Sequence, residues 1–319
     1  MVEDREIKAE PYVGRFAPSP TGLLHRGSLL AAVGSFLCAR KAAGQWLLRI
    51  EDLDPPREQP GSAEAIIETL ALFGLEWDGP VWWQSTRHQR YAEVLAQLLE
   101  DGHAFRCACS RSDLAPSGIH PERCVRAPGA SDFAVRMRVD RQPVVVEDAL
   151  QGRFAQNLRD DVGDVVLRRR DGHYAYQLAV VIDVADQQIS EVVRGADLLD
   201  STPRQIALQR LLGVPTPGYL HLPVLLDRDG NKLSKSRFSR SLIQAQALAE
   251  LRLVLGWLGL TGIEGDTPSA MLARAVTHFD RCRLPRQPSL PGEEIGSTSP
   301  IDGDGEALSA AGHLGDAVV

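Results

Sequence analysis

The stretch Arg15-Phe16-Ala17-Pro18-Ser19-Pro20-Thr21-Gly22-Leu23-Leu24-His25-Arg26-Gly27-Ser28 decides the fold. The apolar residues 12–16 predict a strand, and the proline- and glycine-broken loop after them leads into a helix of small residues. Such a strand–loop–helix turn points backbone N–H groups at one spot, which suits a phosphate. Its glycine spacing is neither that of a Walker loop nor that of a dinucleotide fingerprint. The remaining signal, His25-x-Gly27, is weak, and taken alone it indicates a plain helix entry rather than a binding site.

The composition places the chain among ordinary globular proteins. Its 319 residues, 44% of them hydrophobic and 24% charged, are enough for two domains or for one large domain with an insertion. No apolar run approaches the roughly 18 residues of a membrane span, and the charged residues 1–5 do not begin a signal peptide. We therefore expect a cytoplasmic protein with no membrane partner. Five cysteines, an odd number, do not suggest a disulfide framework.

The net charge of −7 argues against a nucleic-acid partner, but the charge is unevenly distributed along the chain. Residues 285–319 contain six carboxylates and one arginine, a net of −5, which leaves −2 for the preceding 284 residues. Local basic surfaces could therefore still bind a polyanion. The same segment is rich in Pro, Gly and Ser and has no periodicity, so we predict a disordered tail over 285–319.

A second strand, residues 46–50, follows the first helix and completes a β-α-β unit, which implies parallel strands. The strand ends in Glu51-Asp52-Leu53-Asp54, and ligands of open α/β sheets bind at that edge. A solvated turn is the alternative for these acidic residues. Further helices are predicted near residues 66–73, 88–100, 202–212 and 242–258, and further strands over 164–167, 176–184, 189–194 and 219–226.

A cluster of potential metal ligands lies in one short segment. Cys107, Cys109, His120 and Cys124 have the spacing C-x-C, ten residues, H-x3-C. Three thiolates and an imidazole would fill the coordination sphere of one tetrahedral zinc ion, which would make the site structural rather than hydrolytic. The alternative is three ordinary cysteines and a surface histidine. Short alternating segments after the cluster predict a small β-containing insertion.

A second phosphate-binding signal follows the last predicted strand of the sheet. Lys232-Leu233-Ser234-Lys235-Ser236 comes directly after a turn and presents two ammonium groups and two hydroxyls. Such groups can follow charge that develops on a polyphosphate in a transition state. Taken alone, the pentapeptide indicates a basic surface loop. Together with His25-x-Gly27 it indicates the two halves of an ATP site.

This pair of motifs resembles the two signatures of class I aminoacyl-tRNA synthetases. The surrounding residues, Gly14 to Gly22, Arg49-Ile50-Glu51-Asp52-x-Asp54 and Val193-Arg194-Gly195-Ala196-Asp197, closely resemble glutamyl-tRNA synthetases over about residues 12–240. The resemblance implies an α/β fold with a Rossmann-like parallel sheet, a small zinc-containing insertion and a short C-terminal helical segment. In these terms we divide the chain into 1–105 and 161–240 as the two halves of the catalytic domain, 106–160 as the insertion, 241–284 as the helical segment and 285–319 as the tail.

The resemblance also implies roles for single residues. ATP, with Mg²⁺, would be bound by His25, Gly27, Lys232, Ser234 and Lys235, of which His25 and Lys235 would be catalytic. L-glutamate would be bound by Arg15, Ala17, Ser19, Glu51, Tyr176 and Arg194. Guanidinium groups can grip a carboxylate bidentately, and Glu51 would hold the substrate's ammonium group. As isolated residues, the two arginines could instead form surface salt bridges.

Two departures distinguish the chain from full-length glutamyl-tRNA synthetases. Only 83 residues follow Ser236, too few for a helical anticodon-binding portion, and the helix after His25 lacks the usual Arg-Thr pair. With the cysteine cluster, this resembles the short glutamyl-queuosine tRNA(Asp) synthetase family, in which the position of His120 is commonly Tyr. The resemblance implies tRNA-independent activation of glutamate by ATP and its transfer to queuosine in the anticodon stem-loop of tRNA(Asp), by a monomer.

Three alternatives remain at this point. A truncated glutamyl-tRNA synthetase would charge a tRNA 3′ end. A nucleotidyltransferase of the same superfamily would activate a small acid without RNA, although two pocket arginines suit it poorly. A zinc-stabilised RNA-binding protein without enzymatic activity would not exchange pyrophosphate.

Overall fold

The computed structural model describes residues 11–115, 119–121, 123–125, 132–233 and 246–292. Within them the strands are β1 (Val13–Phe16), β2 (Gln45–Ile50), β3 (Trp82–Trp83), β4 (Ala104–Cys107), β5 (Ala134–Met137), β6 (Val144–Asp148), β7 (Gly152–Gln156), β8 (Val165–Arg168), β9 (Glu191–Gly195), β10 (Gly218–Leu222), β11 (Val224–Leu226) and β12 (Ser289–Pro291). The helices are α1 (Arg26–Lys41), α2 (Ser62–Leu72), α3 (His88–Glu100), α4 (Leu158–Asp161), α5 (Tyr176–Asp186), α6 (Thr202–Leu212), α7 (Ala247–Trp257) and α8 (Pro268–His278).

A mostly parallel sheet forms the centre of the molecule. Strands β1, β2 and β3 pair in parallel, as do β9, β10 and β6, and β7 adds an antiparallel edge. The two groups meet at β1 and β9, where the Ser190 N–H donates to the Val13 carbonyl at 2.9 Å and the Val13 N–H donates to Ser190 Oγ at 2.9 Å. The order is therefore β3-β2-β1-β9-β10-β6-β7. The predicted Rossmann-like parallel sheet is confirmed.

Alternating side chains of this sheet enter two separate hydrophobic cores, as the two-residue period of a strand requires. One core contains Trp46, Leu48 and Ile50 of β2 together with buried residues of α1, α2, α7 and α8. The other contains Val192 and Tyr219 together with buried residues of α3, α5 and α6. Helices thus cover both faces of the sheet, which leaves the strand ends as the place for a ligand.

Helix α1 approaches the sheet closely because its sequence is rich in small residues. A Cβ added to Gly34 would lie 2.4 Å from Cδ1 of Leu222, so any other residue would force the Leu222 side chain of β10 to shift. Ser35 accepts a hydrogen bond at 2.9 Å from the Trp46 indole N–H. The start of α1, with His25 and Gly27, is therefore held firmly at the edge of the sheet.

The prediction of a strand over residues 176–184 was wrong, because this segment forms helix α5. Residues 178–184 of α5 are buried on all sides. A helix surrounded by protein lacks the amphipathic period that would distinguish it from a buried strand. The β-branched residues Val180, Val181 and Ile182 then favoured the wrong choice, since tertiary packing overrides local propensity.

Two further strands were predicted at the right positions but with the wrong pairing partners. β8, predicted as part of the parallel sheet, instead joins β4 and β5 in a small antiparallel sheet. β6, predicted within the small insertion, instead pairs in parallel with β10 at Asp148 and Tyr219. Pairing partners far apart in sequence leave no local pattern to read, so only the tertiary fold decides them.

The predicted strand over 219–226 is divided between β10 and β11 at Pro223, which has no N–H to donate to a ladder. β11 pairs in parallel with β12, residues 289–291. The first residues of the predicted disordered tail are therefore ordered by a strand contact. Residues 293–319, residues 234–245 and thus the start of the predicted helix at 242 lie outside the described residues. No helix in the described part of the chain is long and apolar enough to cross a membrane.

Candidate active site and metal centre

His25 caps the start of α1. Its Nδ1 accepts from the Ser28 backbone N–H at 3.1 Å, and its Nε2 lies 3.0 Å from Ser28 Oγ. Burial lowers the pKa of His25, and the negative charge of Asp197 partly opposes the change. A largely neutral imidazole therefore stands at the positive end of the α1 dipole, where a phosphate group would be stabilised.

Gly27 makes room for the His25 ring. A Cβ at Gly27 would lie 3.1 Å from both Cε1 and Nδ1 of His25, so a side chain there would require the ring to shift by a few tenths of an ångström. The sequence predicted a glycine that admits the nucleotide. In the structure, the atoms closest to a side chain at this position would be those of the His25 ring.

The structure connects the two predicted halves of the phosphate site. Lys232 Nζ donates to Asp197 Oδ2 at 3.3 Å, and Asp197 is the carboxylate whose charge acts on His25. Lys232 thus approaches the start of α1, although more than 200 residues separate them. Ser234 and Lys235, the other predicted ATP-binding residues of this loop, lie outside the described residues.

Arg15 lies on β1 and is only 4% exposed. Its Nη1 donates to the Val193 carbonyl at 2.9 Å, beside Arg194, and its buried Nε has no hydrogen-bond partner in the described residues. Burial, with the neighbouring charges of Arg49 and Arg194, lowers the pKa of Arg15 to about 10. A buried cation that lies near two others and has an unpaired donor suits an anionic ligand.

Arg194, on β9, is 5% exposed and is held by four hydrogen bonds. Its Nε donates to His221 Nε2 at 3.0 Å, and its Nη2 donates to Thr202 Oγ1 at 2.8 Å and to the Leu198 carbonyl at 3.3 Å. Its Nη1 donates to the Tyr176 hydroxyl at 3.3 Å. The predicted partners Arg194 and Tyr176 are therefore in contact.

Glu51 follows β2 and is almost fully buried, with its Oε1 accepting from Arg49 Nη2 at 3.1 Å. Burial raises the pKa of Glu51, and the positive charges of Arg49 and Arg15 partly offset that rise. A carboxylate in this environment would be stabilised by a further cation such as a substrate ammonium group. The solvated-turn alternative therefore does not apply to Glu51.

Ala17 and Ser19 lie in the loop that follows β1. The loop is held beside the end of β2 because the Glu51 N–H donates to the Pro18 carbonyl at 2.9 Å. Ser19 is exposed and Ala17 is partly exposed. The structure thus places both residues at the same sheet edge as Glu51, in a position to line a pocket rather than the core.

Several residues of this region were missed by sequence reasoning. Arg49 is fully buried, donates to Gln187 Oε1 at 2.6 Å and lies 3.7 Å from Asp183 Oδ2. Asp183 also accepts from Arg87 and Tyr91. In the sequence, Asp183 stands out only as a single carboxylate inside an apolar run. A buried carboxylate needs a charged partner, but the prediction of a strand concealed this requirement.

The predicted metal ligands come together at the end of β4. The ligand atoms of Cys107, Cys109, His120 and Cys124 all lie within 4.8 Å of one another. His120 Nε2 is 3.3 Å from Cys107 Sγ and 3.7 Å from Cys124 Sγ. Tetrahedral zinc with sulfur and nitrogen ligands needs separations of about 3.5–3.8 Å, so the donor set fits zinc after a contraction of about 1 Å at most.

Asp164, which follows His120 by 44 residues in the sequence, contacts this cluster through His120. Its Oδ2 lies 2.9 Å from Nδ1 of His120, which is 1% exposed, and it accepts from Arg159 Nη1 at 3.1 Å. A carboxylate on the far nitrogen of a histidine fixes the tautomer that can ligate a metal through the other nitrogen. No spacing in the sequence indicates this contact.

Comparison with known proteins agrees with the geometry. Residues 12–119 and 119–264 match the model of the family described as "tRNA synthetases class I (E and Q), catalytic domain". The chain is 55% identical to the Glutamyl-Q tRNA(Asp) synthetase of Xanthomonas axonopodis pv. citri (strain 306), over 91% of this chain and 98% of that protein. It is 51% identical to the protein of the same name from Pseudomonas aeruginosa (strain LESB58), over 89% of this chain and 99% of that protein.

Among solved structures, the chain is similar to a glutamate tRNA ligase from Elizabethkingia meningosepticum CCUG26117 in complex with its amino acid. The TM-score is 0.72 at 25% identity, over 87% of this chain but only 66% of that ligase. Helices on both faces of a parallel sheet, a cationic pocket at its edge and near-complete coverage of these relatives lead to one conclusion. The chain belongs to the glutamyl-Q tRNA(Asp) synthetase family of class I tRNA synthetases.

Proposed function

We propose that this ligase activates L-glutamate with ATP, without tRNA, and transfers the glutamyl group to queuosine in the anticodon stem-loop of tRNA(Asp). The observation that carries the proposal is the buried cluster of Arg15, Arg194 and Glu51 at the strand edge, next to a capped helix start. Two guanidinium groups and one carboxylate complement the side-chain carboxylate and the ammonium group of glutamate.

In the first step, the α-carboxylate of glutamate attacks the α-phosphorus of ATP and pyrophosphate leaves. Since that carboxylate must reach the phosphorus, Arg15 and Arg194 would hold the side-chain carboxylate, and Glu51 would hold the ammonium group. His25, Gly27 and Lys232 would position the phosphates, together with Ser234 and Lys235, and Mg²⁺ would accompany ATP. Such catalysis consists mainly of positioning and charge stabilisation.

In the second step, a hydroxyl of the acceptor attacks the mixed anhydride and AMP leaves. Queuosine carries a cyclopentenediol, whose vicinal hydroxyls resemble those of a terminal ribose, so one adenylate site suffices for either acceptor. A single anticodon base would occupy the place that a larger synthetase gives to the acceptor end. We expect this reaction in the cytoplasm, where tRNA is available, and from a monomer, because one chain supplies both halves of the site.

We further propose one structural zinc ion bound by Cys107, Cys109, His120 and Cys124. The four donors leave no open coordination position for a substrate, so the ion would hold the loop after β4 rather than take part in the reaction. Asp164 would orient His120 for ligation.

The decisive experiment offers labelled glutamate and ATP to three RNAs: tRNA(Asp) with queuosine, tRNA(Asp) without it, and tRNA(Glu). We expect label only on queuosine-containing tRNA(Asp), and ATP–pyrophosphate exchange that needs glutamate but no tRNA. Label on the 3′ end of tRNA(Glu) would instead identify a truncated glutamyl-tRNA synthetase.

The Arg15→Ala variant tests the assignment of the glutamate pocket. Truncating one partner of a buried charge pair costs about 2–5 kcal/mol of binding free energy, so we expect glutamate-dependent exchange to fall by about 30-fold or more. The Arg153→Ala variant changes an exposed arginine on β7 and should retain full exchange. Near-normal exchange in Arg15→Ala would refute the pocket assignment.

A further inference from the structure

A buried acid–imidazole pair lies directly behind Arg194. Asp148 ends β6, His221 lies on β10 and Arg194 lies on β9, so three neighbouring strands deliver them side by side. Asp148 Oδ2 is 2.6 Å from His221 Nδ1, and the side chains of both residues are fully buried. His221 Nε2 is 3.0 Å from Arg194 Nε. The three side chains therefore form one continuous chain of hydrogen bonds.

The chemistry of the partners determines the tautomer of His221. An arginine Nε–H can only donate, so Nε2 of His221 must accept and the ring proton must lie on Nδ1, where it is donated to Asp148. Burial lowers the pKa of His221, which favours the neutral ring that this arrangement needs. Burial alone would raise the pKa of Asp148, but hydrogen bonds from His221 and from the backbone of residues 150 and 151 lower it on balance.

Asp148 is itself fixed by the backbone. It accepts the His221 N–H at 3.1 Å and the N–H groups of Leu150 and Gln151 at 3.0 and 2.8 Å. The His221 ring stacks on Tyr219, with the ring centroids 6.1 Å apart and an interplanar angle of 10°. The imidazole therefore has one allowed orientation, and it imposes that orientation on the guanidinium group in front of it.

We propose that Asp148 and His221 form a positioning dyad that aims Arg194 at the carboxylate of the substrate. Four of the five N–H groups of Arg194 already have partners among the described residues: His221, Thr202, the Leu198 carbonyl and Tyr176. Two donors remain: the second Nη1 N–H of Arg194, and the hydroxyl proton of Tyr176, whose oxygen accepts from Arg194. Both can donate to one carboxylate. The proposal rests on the proposed glutamate pocket.

The alternative is that His221 merely satisfies its polar groups inside the core. A core histidine could be replaced without changing the affinity for one particular substrate, whereas a positioning residue acts on glutamate and not on ATP. The two possibilities therefore differ in how KM values divide between the substrates.

Two substitutions of His221 separate these possibilities. In His221→Gln the side-chain amide oxygen reaches the place of Nε2 and can still accept from Arg194. In His221→Asn the shorter side chain reaches only the place of Nδ1, contacts Asp148 and leaves Arg194 Nε without its acceptor. We expect His221→Asn to raise KM for glutamate about 10- to 100-fold, and KM for ATP to stay within about twofold of wild type. His221→Gln should restore KM for glutamate to within about threefold of wild type.

Asp148→Asn gives an independent test, because an amide nitrogen facing Nδ1 would force the ring proton onto Nε2, against Arg194. Nitrogen-15 NMR of histidine-labelled wild-type protein should show the Nδ1–H tautomer for the resonance that His221→Gln removes. Thermal unfolding of each variant reports whether it folds.

An Nε2–H tautomer in wild type would overturn the proposal even if the variants failed to fold. Equal glutamate KM values for wild type, His221→Asn and Asp148→Asn would also overturn it. Absence of glutamate-dependent exchange in wild type would instead refute the proposed function, which keeps the two failures distinguishable.

Discussion

At the scale of single residues, burial gives the pocket its properties. Arg15, Arg194 and Glu51 each have ordinary side-chain chemistry, yet all three are almost completely removed from water. In water an arginine–carboxylate contact contributes at most about 1 kcal/mol, whereas in a buried site an unpaired charge is costly until a ligand pairs with it. The proposed affinity for a charged amino acid would therefore arise from where these residues lie rather than from which residues they are.

The raised pKa of Glu51 predicts how activity depends on pH. The carboxylate form is the one that pairs with a substrate ammonium group, and a raised pKa means that Glu51 takes up a proton at a higher pH than an ordinary glutamate. We expect kcat/KM for glutamate to fall on acidification, starting above the pH at which an exposed glutamate would titrate. Pyrophosphate exchange measured across pH checks this.

The matched variants are Glu51→Gln and Glu147→Gln. Glu51→Gln should exchange weakly and lose this acidic limb, whereas Glu147→Gln, which changes an exposed residue of β6, should keep the wild-type profile. The same acidic limb in Glu51→Gln would show that another group titrates.

At the scale of elements, His25 at the start of α1 has a structural role as a helix cap and a proposed role in binding the nucleotide. His25 satisfies a backbone N–H of the first turn, and it is also the residue assigned to the nucleotide. A side chain at Gly27 would press against the His25 ring, because its Cβ would lie 3.1 Å from two ring atoms. The helix end is therefore both a structural cap and the proposed phosphate site, and a substitution there changes stability and activity together unless the two effects are separated.

Asparagine and alanine at position 25 separate them. Asn is a good N-cap residue, so His25→Asn should leave the free energy of unfolding within about 0.5 kcal/mol of wild type, while His25→Ala should lose about 0.5–2 kcal/mol. Both variants lack the imidazole, so both should lose about 100-fold in exchange. Chemical denaturation and exchange kinetics measure the two effects. Normal exchange in His25→Asn would leave capping as the sole task of His25.

At the scale of the whole molecule, segments distant in sequence are held together at two places. β12 pairs with β11 and ties residues 289–291 to the end of the catalytic sheet. The Cys107–Cys124 segment is tied to the chain before β8 through His120 and Asp164. A metal bound at the second place would stabilise the whole small sheet, because binding to a site absent from the unfolded chain adds directly to folding free energy.

We expect about one zinc per chain and a lower unfolding temperature after chelation. Asp164→Asn should weaken zinc affinity about 10- to 100-fold, since the carboxylate orients His120. Asp160→Asn, an exposed neighbour on α4, is the matched control and should bind as wild type does. Metal content by mass spectrometry and thermal unfolding with and without chelator measure both effects. Wild-type affinity in Asp164→Asn would refute the orienting role.

By itself, the sequence determined the elements whose signals are local. The helices at 88–100 and 202–212 have the predicted bounds, because local signals mark them: a proline stands at the start of 202–212, and a glycine with positive φ, Gly102 or Gly213, follows the end of each helix. The order β1-α1-β2, the metal-ligand cluster and the two phosphate motifs could also be read, since each is a short run of fixed spacing.

The tertiary structure alone decided whatever depends on distant partners. Residues 176–184 form a helix in the structure. The sequence did not reveal it, because a helix that is buried on all sides has no amphipathic period. The tertiary structure moved β8 to the small sheet and ordered β12, because strand pairing is chosen by contacts far along the chain. It also placed Asp148 and His221 behind Arg194 and Asp164 behind His120, because hydrogen bonds between residues 44 and 73 positions apart leave no mark on either local sequence.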